Sequence, residues 1–146
     1  MSLEEKDNYF VAVKVFLLKD GKFFACKDVH GNWDLPGGRI KKDEFNTPIE
    51  KIIERKMFEE LGGKIEYKIG KPVVVMRHER VEDTPGKPTI RIFSVGYEVT
   101  LLKGKPELSD LFTESMWIDP QNFNPEEYFE GGWLKGVQDY LALKNS

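Results

Sequence analysis

The sequence predicts an α/β fold, a mixed sheet with helices packed on its faces, and three observations predict it. Two Val- and Phe-rich runs are joined by an Asp-Gly pair, the signal of a β-hairpin. One helix follows, with apolar residues spaced by four between a Thr-Pro start and a Gly-Gly stop. The pattern then returns to strands and closes on a second helical segment, an order that stacks helices against one sheet. The chain has 146 residues, within the roughly 100–200 residues of one domain, so a single domain over 1–146 is expected.

Residues 9–18 read as the first strand, Lys19-Asp20-Gly21-Lys22 as the turn, and Phe23–Lys27 as the returning strand. Trp33-Asp34-Leu35 is a short extended piece that runs into Pro36-Gly37-Gly38, through which no helix passes. Thr47 is placed to cap a helix, Pro48 suits its first position, and Glu50 completes a capping box. Ile49, Ile53, Met57 and Leu61 form the apolar stripe, and Gly62-Gly63 ends the helix. Val73–Arg77 and Ile90–Thr100 read as strands, with a loop at Thr84–Pro88 between them. Trp117-Ile118 ends a further short strand. A second helical region starts at Asn124-Pro125-Glu126-Glu127, breaks at Gly131-Gly132 and resumes over Trp133–Leu143.

Composition narrows the function. Hydrophobic residues make up 40% and charged residues 32%, which argues against intrinsic disorder. A net charge of −3 lacks the basic surface of a non-specific nucleic-acid binder, so nucleic acid is not expected as a partner. Cys26, the single cysteine, can form no internal disulfide, and it is expected to be a small buried hydrophobe. No apolar run approaches the roughly 18 residues of a membrane span. The N-terminus shows no cationic region followed by an apolar one. A cytoplasmic setting without membrane attachment is the expectation, with a homodimer left open. The first three residues are read either as native sequence or as an expression scar.

The chemistry concentrates between Trp33 and Gly63, in WDLPGGRIKKDEFNTPIEKIIERKMFEELGG. Helix positions advance by about 100° each, so Glu59 and Glu60 lie about 100° apart. A groove between that edge and the Gly37-Gly38 backbone is lined with carboxylate and carbonyl oxygens. Hard oxygen donors of this kind suit Mg²⁺ or Mn²⁺, and Mg²⁺ is usually held by a few carboxylates together with a substrate's phosphates.

This stretch resembles the signature of the Nudix (MutT-like) hydrolases, which cleave nucleoside diphosphates linked to another moiety. Gly38 is followed by five residues and Glu44; Arg55, Met57, Glu59, Glu60 and Gly62 take the places of the second half of the box. The preceding hairpin and the segment from Leu108 to Ile118 also sit where the family has them. The resemblance implies a mixed sheet sandwiched between helices and a metal held by Glu59, Glu60 and the Gly38 carbonyl. It further implies that Glu44 supports the site and that Arg55 orients a carboxylate. The chain departs from the pattern in four places. Ten residues rather than seven separate Glu44 from Arg55. Lys56 stands where the family has a Glu, and Glu54 points about 140° away from Glu59, so it does not replace that Glu. Gly63 takes a position usually aliphatic, and Leu111-Phe112 occupies the place of a Glu-His pair.

The implied function is metal-dependent hydrolysis of the diphosphate bond in a nucleoside-diphosphate derivative, a small molecule, with Mg²⁺ or Mn²⁺ as cofactor. The alternative is a domain of the same fold that binds a nucleotide without efficient hydrolysis. Arg55, Lys56, Glu59 and Glu60 are the candidate catalytic residues; Gly38, Glu44, Glu59 and Glu60 are the candidate metal site. Lys56 falls angularly between Glu59 and Glu60, where its ammonium can pair with both. Glu79, Glu82, Asp110 and Glu114 are candidates for a general base. Arg77, His78, Arg80 and Arg91 are candidate substrate contacts, because a polyanion needs cationic partners besides metal. Trp33, Phe93 and Tyr97 are expected in the core.

Overall fold

The computed structural model describes residues 4–82, 85–86 and 88–146. The first three residues, and part of the Thr84–Pro88 loop, lie outside the described residues. The chain forms β1 (Phe10–Lys19), β2 (Lys22–Asp28), β3 (Trp33–Asp34), β4 (Gly37–Arg39), α1 (Ile49–Leu61), β5 (Glu66–Val81), β6 (Thr89–Lys103), β7 (Phe112–Ile118) and α2 (Gly131–Lys144). All seven strands belong to one mixed sheet. β1 lies at its centre. It pairs in parallel with β6 from Phe10–Ile92 to Leu18–Thr100. Its other edge is shared: β2 takes its C-terminal end and β4 its N-terminal end. β2 then diverges to pair with β3 and β7. β5 runs antiparallel to β6 and forms an edge.

The hairpin forms as the Asp-Gly pair predicts, with Asp20 at φ 51° and Gly21 at φ 77°. Successive strand side chains point to opposite faces, and this splits the core in two. Val13, Val15 and Leu17 of β1 join Ile52, Ile53, Met57 and Leu61 of α1 on one face. Phe16 joins Phe23 of β2 and Val137, Tyr140 and Leu141 of α2 on the other. Cys26 is fully buried in the α1 core. Trp33, Phe93 and Tyr97 are half-buried. α2 packs closely on β5 because Gly136 has no side chain: a Cβ there would stand 2.0 Å from Met76 Cγ.

Several local expectations are corrected. Pro48, not Thr47, is the cap of α1, and no side chain caps the helix. The Pro48 carbonyl itself accepts from Lys51 and Ile52 N–H at 3.0 and 3.2 Å. Since Pro48 adopts an extended ψ of 142°, the helix begins one residue later than the Thr-Pro signal suggests. β5 and β6 are longer than their apolar patterns, because long-range pairing continues through polar residues at both ends. The segment at Asn124 is a single 3-10 turn over Pro125–Glu127, with the Asn124 side chain accepting from Glu126 N–H. Gly131 and Gly132 form the first turn of α2 instead of breaking it.

Candidate active site

Three elements build the site. β4 supplies the Gly37-Gly38 backbone, a 3-10 turn over Lys42–Glu44 supplies Glu44, and one edge of α1 supplies Arg55, Lys56, Glu59 and Glu60. Gly37 sits at φ 139°, and a Cβ there would meet the Val13 carbonyl oxygen at 2.1 Å, so only glycine permits this turn beside β1. The turn faces the start of the last helical turn. Gly37 N–H donates to Glu60 Oε1 at 2.9 Å. Glu60 is 6% exposed. Burial raises its carboxyl pKa, and the Gly37 hydrogen bond and the Lys56 charge offset that only in part.

Arg55 gathers the remaining carboxylates. Its Nε and Nη2 donate to the two oxygens of Glu44 at 2.8 and 2.6 Å, and Nη1 donates to Glu59 Oε1 at 3.1 Å. Such a two-pronged guanidinium–carboxylate pair fixes orientation as well as charge. Lys41 N–H adds a third bond to Glu44 at 2.8 Å. The Arg55 pair, then the Lys41 bond, holds the Glu44 carboxyl below the usual carboxylate range. Partial burial works against ionised Glu59, but Arg55 and Lys56 outweigh it, so its pKa is lowered too.

Lys56 lies between the two glutamates of the helix edge, as its angular position predicts. Its Nζ is 3.2 Å from Glu59 Oε2 and 3.6 Å from Glu60 Oε2. Its stem rests on Gly38, where an added Cβ would stand 2.5 Å from Lys56 Cε. Glu59 and Glu60 offer oxygens of the type Mg²⁺ takes, and an ammonium already occupies the gap between them. Among the described residues, no three His, Cys, Asp or Glu side chains are grouped so as to hold a metal ion.

Sequence reasoning missed a second ion pair under this site. Lys14, 6% exposed in the middle of β1, donates to both oxygens of Asp34 at 2.9 Å and to the Leu35 carbonyl at 3.4 Å. It thereby ties β1 to the Leu35-Pro36 segment that delivers Gly37. The signal was a charge in the middle of the otherwise apolar run 10–18. Lys14 Nζ also lies 4.7 Å from the Trp133 ring centroid, and His78 stacks on Trp133 at 4.6 Å.

The four candidate substrate cations do not form one cluster. Arg77 and Arg91 lie on one face of the β5–β6 ribbon, His78 and Arg80 on the other, as their cross-strand register requires. Arg91 pairs with Asp7 and Glu79 at 2.6 and 2.9 Å. His78 Nδ1 accepts from Gly132 N–H at 3.1 Å, and burial, then the Arg80 charge, lowers its pKa. Arg80 is 3.6 Å from Glu82, which also pairs with Arg39. Arg77, His78 and Arg91 line a cleft of about 410 Å³ whose lining, among the described residues, includes none of the box residues. Of the candidate bases, Glu79, Glu82 and Glu114 are engaged by Arg91, by Arg39 and by Lys27 respectively. Asp110 is exposed in the loop before β7.

No protein-family model matches the chain, and no curated protein matches it. Its fold nevertheless matches solved structures over nearly its whole length. A MutT protein from Methanosarcina mazei Go1 is 16% identical with a TM-score of 0.70, covering 98% of this chain and 99% of that one. An ADP-ribose pyrophosphatase from Streptococcus suis is 14% identical with a TM-score of 0.64, covering 95% and 94%. A MutT Nudix hydrolase from Burkholderia pseudomallei is 17% identical with a TM-score of 0.63, covering 91% and 98%. The chain has the Nudix fold, with its mixed sheet flanked by two helices.

Proposed function

We propose that this chain, as one domain over residues 1–146, hydrolyses the diphosphate bond of a nucleoside-diphosphate derivative in the cytoplasm with Mg²⁺ or Mn²⁺. The observation that carries this reading is the convergence of Glu44, Arg55, Glu59 and Glu60 beside the Gly37-Gly38 backbone within a Nudix fold. The likeness in fold to an ADP-ribose pyrophosphatase from Streptococcus suis supports it. No helix among the described residues is long and apolar enough to cross a membrane, in keeping with a small-molecule substrate met in solution.

The chemical difficulty is negative charge, on the diphosphate and growing on the leaving phosphate. Glu59, Glu60 and the Gly38 carbonyl are the groups that would hold the metal. A bound divalent ion supplies charge neutralisation and an acidified water. The protein's own part is positional. Gly37 N–H fixes Glu60, Arg55 fixes Glu44 and Glu59 together, and Lys14 with Asp34 holds the turn that carries both glycines. Lys56 presents an ammonium to a substrate phosphate at the same edge. At least one of Arg77, His78, Arg80 and Arg91 meets the remaining anionic part of the substrate, so alanine substitutions there raise KM.

The second reading, a nucleotide-binding domain without efficient hydrolysis, is favoured by the seat of Lys56 between Glu59 and Glu60. A turnover screen over nucleoside triphosphates, nucleotide sugars, ADP-ribose and dinucleotides, with Mg²⁺ and with Mn²⁺, separates the two. Release of a monophosphate or phosphate product supports the hydrolase. Nucleotide binding without product supports the binder.

A further inference from the structure

We propose that Lys56 is a tethered cation occupying the metal position of this site, so that a covalently attached charge stands where Glu59 and Glu60 would otherwise hold a divalent ion. This deepens the functional reading above and rests on it. Three observations converge on it. The first is place: the ammonium is 3.2 Å from Glu59 Oε2 and 3.6 Å from Glu60 Oε2. A Mg²⁺ ion binds oxygen at about 2.0–2.1 Å, so an ion reaching these oxygens competes with the ammonium for the same two acceptors. The second is fixation. The Lys56 side chain is 16% exposed, while that of Glu59 is 42% exposed, so the lysine turns inward instead of reaching for solvent as a helix-edge lysine usually does. Its stem lies in the groove that the bare Gly38 backbone leaves open.

The third observation is charge. Glu44, Glu59 and Glu60 face Arg55 and Lys56, so three carboxylates meet two permanent cations. One negative charge is left to attract a dication, and Arg55 and Lys56 already share both oxygens of Glu59. Removing the lysine charge leaves two negative charges and frees Glu60 Oε2. The site as it stands therefore takes up a divalent ion weakly on its own. Substrate phosphates would supply the oxygens the site lacks, or draw Lys56 toward themselves.

Mn²⁺ alone, titrated without nucleotide and followed by the loss of the free-ion paramagnetic resonance signal, tests this. The forms compared are the wild type, Lys56→Met, Lys56→Arg, Glu60→Gln and the double variant Lys56→Met with Glu60→Gln, each checked for folding by circular dichroism. Methionine keeps a long stem on Gly38 and removes the charge; arginine keeps the charge. The expected result is that Lys56→Met binds Mn²⁺ at least tenfold more tightly than the wild type and Lys56→Arg, and that Glu60→Gln cancels the gain. Should Lys56→Met not fold, Gly38→Ala carries the same test, because its Cβ pushes the lysine away and leaves every charge in place; a gain there supports the proposal and no gain overturns it. Equal Mn²⁺ binding by the wild type and Lys56→Met, lost in both on adding Glu60→Gln, overturns the proposal and leaves the box standing as a metal site. Absence of Mn²⁺ binding in every form overturns the proposal together with the metal part of the functional reading.

Discussion

Glu60 carries opposing demands. Its burial disfavours charge, while its proposed work requires charge. Glu60→Gln keeps the shape and the contact to the Gly37 turn but deletes the anion. Metal-dependent turnover is expected to fall by about 100-fold or more, beyond the 10–100-fold typical of a group that only supports a ligand. The melting temperature is expected to hold or rise. A carboxyl whose pKa is raised in the fold binds its proton more readily there than in the unfolded chain. Its contribution to stability is thus full below its ordinary value of 4.5 and is lost as pH climbs through the raised one. Denaturant midpoints of the two forms across that window check the sign: the wild type should lose ground to Glu60→Gln as pH rises. The relation of Lys56 to Glu59 and Glu60 was legible in the sequence, since one helix and its angular period decide it. The seat of the lysine on Gly38 was not, because it depends on how β4 meets α1.

At the scale of elements, α1 and the first hairpin were readable because their patterns are local. Ile53, Met57 and Leu61 are buried as their spacing demands, while Ile49, the first residue of the same stripe, stays exposed at the helix start, and Asp20-Gly21 turns as its chemistry demands. The ends of β5 and β6, the cap of α1 and the start of α2 were not readable, because partners distant in sequence set them. Gly131 and Gly132 look like a break, yet the second of them donates to His78 on β5 from within the helix. Lys14 and Asp34 belong to the same class: their residue types are visible, but their pairing requires β1 and the Trp33–Pro36 segment to be side by side. Lys14→Met leaves Asp34, half-buried, without its cation. We expect a loss of about 1–3 kcal/mol, below the 3–5 kcal/mol of a fully buried pair because Asp34 retains some solvent. Urea unfolding of Lys14→Met, Asp34→Asn and the double variant measures it. Simple additivity of the two single changes would show that the pair is not coupled.

Across the whole molecule, two cores lie on opposite faces of one sheet, and Glu98 is a polar tie between that sheet and α2. It sits on β6, accepts from Tyr140 Oη at 2.7 Å, and pairs with Lys144 at 2.5 Å, so it anchors the C-terminal half of α2. Partial burial pushes its carboxyl up, but Lys144 and Tyr140 outweigh this, and its pKa is lowered overall. A lowered pKa means that the stability it contributes is present above the ordinary value of 4.5 and is lost as pH falls toward the folded one. Glu98→Gln should therefore lower stability at neutral pH and flatten the acid limb of the unfolding profile. An acid limb identical to that of the wild type would assign the pH dependence to other carboxylates.

The central claim is that the Glu59–Glu60 edge serves hydrolysis in a Nudix fold. Product release from a panel of nucleoside-diphosphate derivatives, measured with and without Mg²⁺ for the wild type and Glu60→Gln, tests it most directly. At least one compound is expected to yield a monophosphate product, the yield to require the divalent ion, and Glu60→Gln to abolish it. A panel left intact by the wild type under Mg²⁺ and Mn²⁺, or turnover that Glu60→Gln leaves unchanged, would contradict it.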